Sequence, residues 1–265
     1  RRVADEFVPD ILPAAFQPGL MSAGNWAYRG LSRTLLWSRM PADLRREISA
    51  YCRAAGASRQ LAVAALLLGE FDMFLAARGC STIAVGSPLA ADGHLVMGRN
   101  LDFDSFDLAD VLHLLQVNHP SEADEIPSAW LSWLGFWGVF TGWNRAGLAL
   151  GCMVVYNARP EDEPRMFSTA AVTPMCWAYT RILRTCRTVD DAVALLRTLT
   201  PLGPNNIMLA DAAGRAVVVE WAPSGLACRP LEGGFVVGTN GFRTDKMRGT
   251  PDYCGRYDGT IDVLD

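Results

Sequence analysis

Cys80 lies in the apolar run Gly79-Cys80-Ser81-Thr82-Ile83-Ala84-Val85. After a turn at Ala91-Asp92-Gly93 the chain presents Arg99-Asn100-Leu101-Asp102. The two segments read as strands of one hairpin, which sets a nucleophile beside a cation and a carboxylate. A thiol attacks only as thiolate, and at an ordinary pKa of about 8.5 a few per cent is ionised at neutral pH. It needs a base. The chain has three histidines: His94 in the hairpin turn, His113 within a strand and His119 before Pro120. Surface or structural roles are expected for all of them. Another base becomes available if the Gly79–Cys80 peptide bond is broken. Cys80 then carries an α-amine of pKa about 7.7–8.0, which can take the thiol proton within one residue. Gly79 suits such a self-attack, because without a Cβ it tolerates unusual backbone geometry. Arg99 would favour the thiolate by opposite charge, and Asp102 would hold the new ammonium or orient the arginine.

The elements that must position these groups follow from the pattern along the chain. Residues 1–79 read as mostly helical, with Pro41 and Asp43 opening one helix and an Ala/Leu-rich stretch from Ser58 through Ala77 ending at Arg78-Gly79. From Cys80 to about residue 119, short apolar runs alternate with turns: Ser81–Val85, His94–Gly98 and Val111–Val117. Leu148–Tyr156 reads as a strand, Thr173–Arg187 and Val189–Leu199 as two helices, the second capped by Thr188 or Asp190. Ile207–Ala210, Ala216–Trp221 and Gly234–Val237 read as further strands, the first two joined by the turn Asp211-Ala212-Ala213-Gly214. The connections are too short for parallel crossovers. A layered α+β architecture is expected, with antiparallel sheets packed together and helices outside.

Composition narrows the function. The 265 residues can bury a substantial core. With 24 basic and 28 acidic side chains the net charge is −4, so there is no basic excess for nucleic acid. Apolar runs such as Leu61–Gly69 and Ala129–Phe140 fall short of the roughly 18–20 residues of a membrane span, so no stable insertion is expected. The seven cysteines show no C-x-x-C or other metal-ligand spacing, and neither metal nor organic cofactor is implied. Cys152, Cys176 and Cys186 stand in apolar or helical contexts that suit small core residues. The chain opens on Arg1-Arg2, which leaves room for an upstream signal peptide and leaves the compartment open.

The motif Cys80 to Val85 followed by Gly98-Arg99-Asn100-Leu101-Asp102 resembles the opening of the N-terminal nucleophile hydrolases related to choloylglycine hydrolase. The nearest branch contains acid ceramidase and the penicillin acyl-coenzyme A acyltransferases, in which a helical pro-segment precedes the cysteine. Further motifs follow in order: Gly142-Trp143-Asn144-Arg145-Ala146-Gly147-Leu148, then Asn205-Asn206 to Asp211 with Gly214 and Glu220, then Thr239-Asn240, then Arg256. The resemblance implies a four-layer αββα sandwich of two antiparallel sheets. It also implies a pro-segment or small subunit over residues 1–79 and a catalytic domain over 80–265. Cys80 would be nucleophile and autoprocessing residue, with its own amine as base. Asn144 and Asn240 would position substrate and hold the oxyanion, Arg99 and Arg256 would shape the electrostatics, and Asp102 would hold the amine. The reaction implied is acyl transfer from a linear amide to Cys80, then hydrolysis or transfer to another amine. The partners implied are a small N-acyl substrate and the cleaved pro-segment; self-association stays open.

Trp130, Trp133, Phe136, Trp137, Phe140 and Trp143 recur at spacings of three and four, which suits one helical face. Such a stripe serves as core or as the lining of an acyl pocket, and Trp133, Trp137, Phe140 and Trp143 are the candidates for binding substrate. Two rivals stay open at this point: a non-catalytic lipid or acyl binder on the same fold, and a histidine-assisted cysteine hydrolase. Glu220, alternating with valines, would face solvent or pair with an arginine.

Overall fold

The computed structural model describes residues 37, 40–59, 62–63, 79–102, 113–120, 122–133, 138–162, 172–251 and 254–264. The helix α1 (Ala42–Ala55) carries Leu44, Ile48 and Cys52 at four-residue spacing, and all three are buried. They pack with Trp177 of α2 (Met175–Thr185). Arg184 of α2 bridges Glu47 of α1 and Glu125, so the helix expected near residue 41 is docked by apolar and ionic contacts together. Most of the helix expected over 58–77 lies outside the described residues.

The strands form two antiparallel sheets. The smaller has the order β10-β1-β2, with β1 at Gly79–Val85, β2 at Val96–Asp102 and β10 at Phe235–Gly238. The larger runs β3 to β9 in chain order: β3 (His113–Asn118), β4 (Ser128–Trp133), β5 (Thr141–Asn144), β6 (Ala149–Val154), β7 (Asn205–Ala210), β8 (Ala216–Ala222) and β9 (Gly225–Pro230). Alternation along β1 points Cys80, Thr82 and Ala84 inward. Cys80 and Ala84 meet Met153, Met208 and Val218 of the large sheet, and this apolar seam joins the sheets. The opposite face of the large sheet buries Leu150, Cys152, Ile207 and Val219 against α2 and α3 (Val189–Arg197). A last helix, α4 (Gly255–Leu264), lies beside β10. The architecture is the expected α+β one of paired antiparallel sheets with helices on the outside.

Thr188 caps α3 in a reciprocal capping box with Asp191. Cys152, Cys176 and Cys186 are core residues, and none of the seven cysteines is in a disulfide. Among the described residues no group of histidine, cysteine and acidic side chains could hold a metal ion. No helix there is long and apolar enough to cross a membrane.

The aromatic stretch corrects the helical reading. Ser128–Trp133 is strand β4, so its side chains alternate: Trp130 is buried while Leu131 is exposed. Phe140 is buried in the core under α2, and Trp143 on β5 is half exposed. They share no helical face. Trp137 and the side chain of Trp133 lie outside the described residues.

Candidate active site

Register places the chemistry. On the β1–β2 hairpin Cys80 pairs with Leu101 and Gly79 with Asp102, while Arg99 pairs with Thr82 and points inward. Arg99 Nη2 donates to the carbonyl of Cys152 at 2.7 Å and stands 3.9 Å from Cys80 Sγ. Its Nε is buried with no hydrogen-bond partner among the described residues. The backbone N–H of Cys80 donates to Asn240 Oδ1 at 2.7 Å, and Asn240 Nδ2 donates to the carbonyl of Val154 at 2.8 Å. Arg256, at the start of α4, donates through Nη1 to the Cys80 carbonyl and through Nη2 to Asn240 Oδ1, both at 2.8 Å. Asp102 accepts from Asn100 and lies 3.8 Å from Arg256.

Cys80 is 5 % exposed. Burial raises its thiol above the ordinary value, Arg99 and the contact with Asn240 pull it down, Asp102 pushes it up and Arg256 lowers it. The cations offset only part of the desolvation, and on balance the buried thiol is held protonated above its ordinary range.

Five of the six residues expected to act together converge here: Cys80, Arg99, Asp102, Asn240 and Arg256. Asn144 does not. Its Nδ2 donates to the carbonyls of Leu183 and Cys186 at the end of α2, and its Oδ1 accepts from the N–H groups of Ala146 and Leu148. It faces the helical side of the large sheet, with its side chain engaged in tying the β5–β6 turn to α2. Asn240 presents Oδ1 to the Cys80 nitrogen and gives one of its two amide N–H groups to Val154. The three histidines are exposed. His113 lies on the outer strand of the large sheet, and His94 at the far end of the hairpin from Cys80.

Several residues whose positioning part no motif states hold the site together. The segment carrying Asn240 is clamped from below by Asn206, whose Nδ2 donates to the carbonyls of Thr239 and Gly241. Asn157 adds bonds to both the N–H and the carbonyl of Phe242. Glu220 is fully buried and pairs with Arg229, the arginine alternative among the two expected of it, and it accepts from the N–H groups of Arg243 and Thr244. Arg243 then stacks 3.6 Å over the ring of Tyr257, next to Arg256. This matters because α4 buries no residue of its own.

Two glycines make room for the charged groups. A Cβ at Gly79 would stand 2.6 Å from Asp102 Oδ2 and 2.9 Å from Arg256 Nη1. A Cβ at Gly151 would stand 2.9 Å from Arg99 Cδ, and a glycine inside an apolar strand is the sequence signal for such a close approach. Gly151→Ala is expected to push Arg99 off the Cys152 carbonyl and lower kcat about a hundredfold, with KM little changed. Steady-state kinetics on the purified variant checks this.

Comparison with known proteins gives a family and a fold. Residues 89–256 match the family model of acyl-coenzyme A:6-aminopenicillanic acid acyl-transferase. The chain belongs to that family. The matched range contains Arg99, Asp102, Asn240 and Arg256, and the family is one of the N-terminal nucleophile hydrolases. In fold it is similar to the Caenorhabditis elegans N-acylethanolamine-hydrolyzing acid amidase ortholog. The TM-score is 0.52 at 19 % identity, over 69 % of this chain and 77 % of that one. A mutant conjugated bile acid hydrolase of Clostridium perfringens gives 0.43 at 15 % identity, over 63 % and 54 %. Penicillin V acylase of Agrobacterium tumefaciens gives 0.38 at 16 %, over 57 % and 49 %. No curated protein sequence matches the chain.

Proposed function

We propose that this family member is an autoprocessed cysteine amidase or acyltransferase acting on linear N-acyl amides through a thioester on Cys80. One observation carries the reading: a buried thiol lies beside an arginine on a residue whose backbone nitrogen and carbonyl are both held by side chains, Asn240 and Arg256.

In the first step Cys80 Sγ attacks the carbonyl carbon of Gly79, and the acyl group passes from nitrogen to sulfur. Water then hydrolyses the thioester, leaving a carboxylate on Gly79 and a free amine on Cys80. Asp102, packed over Gly79, and Asn240, bonded to the nitrogen, hold the new amine in place. In turnover that amine takes the thiol proton and Sγ attacks the substrate carbonyl. The proton then passes to the leaving nitrogen. Water or a second amine resolves the acyl-enzyme. Arg99 stabilises the thiolate, in a buried setting where charge counts for more than in water. Helix α1, docked on α2, stays bound as the smaller fragment.

A panel of N-acyl amides treated with iodoacetamide tests this. At least one amide should be turned over, and activity should fall in step with alkylation of Cys80. In the uncut chain, alkylation of Cys80 should climb with pH to beyond the ordinary thiol range, because burial holds the thiol protonated there. Activity that survives full alkylation of Cys80, or a chain inert on every amide, would refute the reading and leave a binding protein on the same fold.

A further inference from the structure

The two sheets differ in width, and the difference leaves a surface. Among the described residues the small sheet has three strands and the large one seven, in an order that leaves β5, β4 and β3 beyond β2. Arg99 and Met97 of β2 rest on Gly151 of β6. From that glycine a single cross-strand row runs outward on the same face: Gly151 pairs with Thr141, Thr141 with Leu131 and Leu131 with Leu115. The neighbouring row holds Trp143 and Val117. Over β6–β8 this face packs against the small sheet through Met153, Met208 and Val218. Past β2 the same apolar character continues into solvent: Leu115, Val117, Leu131 and Trp143 are 54, 53, 52 and 46 % exposed. Four large apolar side chains clustered on one uncovered face are not ordinary surface scatter.

We propose that this overhang is the floor on which the acyl chain of a long-chain N-acyl substrate lies, its carbonyl at Cys80 and its tail running over Leu131 toward Leu115. The inference rests on the amidase reading above and adds the substrate class. Continuity selects the occupant, since the row starts at the glycine that seats Arg99, the residue 3.9 Å from the nucleophile. From β6 to β3 is three strand spacings of about 4.8 Å, near 14 Å, the reach of an extended chain of roughly ten to twelve carbons. A chain lying there gains by removing apolar surface from water on both sides. The floor is lined by side chains and has no charge along its row, so it offers nothing to a short polar acyl group.

Dodecanoate and butanoate, as products rather than substrates, report on the floor without turnover. Calorimetric titration of the purified enzyme should give a dissociation constant at least tenfold lower for dodecanoate. The pair Leu115→Glu and Leu131→Lys, opposite charges facing each other across exposed strands, preserves strand pairing and should erase the difference. Equal affinity for the two acids would overturn the proposal, as would a chain-length preference that survives the double substitution. If the substitutions instead abolish vesicle binding or self-association and leave the preference intact, the face belongs to a lipid surface or a second copy, and the proposal fails. An enzyme inert on amides that still prefers dodecanoate would count against the amidase reading alone.

Discussion

Cys80→Ala should leave the chain uncut and depress amide turnover by about four to six orders of magnitude, the scale seen when a covalent nucleophile is removed. Both losses would come from one atom, since in the proposed reaction the same sulfur opens the Gly79–Cys80 bond and then receives the substrate's acyl group. The fold should survive. Cys80 contributes one small side chain to the seam with Met153 and Met208, and alanine fills most of that volume. Its Asn240 bond is made by the backbone nitrogen, which alanine keeps. Gel electrophoresis, turnover and thermal unfolding measured on the same preparation check the three statements together. A processed alanine variant would show that the cut is made by another group.

Asn240→Ala is expected to have the next largest effect. Its oxygen receives both the Cys80 nitrogen and Arg256, so truncation frees the group that serves as base in the proposed reaction and the cation that holds the adjacent carbonyl. A displacement of about 1 Å in such a site costs roughly a hundredfold in rate. Truncation also leaves the buried carbonyl of Val154 without its donor, a cost of about 1–3 kcal/mol in stability. Rate and stability should therefore fall together, with the rate loss residing in kcat. The same variant should accumulate uncut chain. Activity within threefold of the native enzyme would remove Asn240 from the mechanism.

The parts of this site that were legible in the sequence are those fixed by local register. A hairpin that pairs Gly79 with Asp102 sets Cys80, Arg99 and Asp102 together whatever surrounds it. Asn240 was legible for a related reason, as it follows directly on the strand that pairs with β1. Asn144 was misplaced because a motif gives position along a strand and not which face the side chain takes. Here the residue serves its own turn and the end of α2. The tryptophans misled for the opposite reason. Spacings of three and four fit a helix, yet the segment pairs on both sides as a strand, and neighbouring strands outvote local period. Strand β8 is buried at every position, because a sandwich covers both faces of a central strand and erases alternation. Helix α4, with Gly255 and Gly259 and no apolar stripe, carries almost no helical signal of its own. It is held from outside, by Arg256 on the nucleophile's strand and by Tyr257 under Arg243. Asn206 and Glu220 stand within a motif, but their partners and those of Asn157 lie far along the chain, so the clamps themselves show no local pattern.

The base assigned to Cys80 exists only if the chain before it has been removed. Mass spectrometry of the purified, active protein under denaturing conditions reads this directly. Two species are predicted, the larger beginning with Cys80 and its free amine and the smaller ending at Gly79. A single intact chain that turns over amides at full rate would contradict the account.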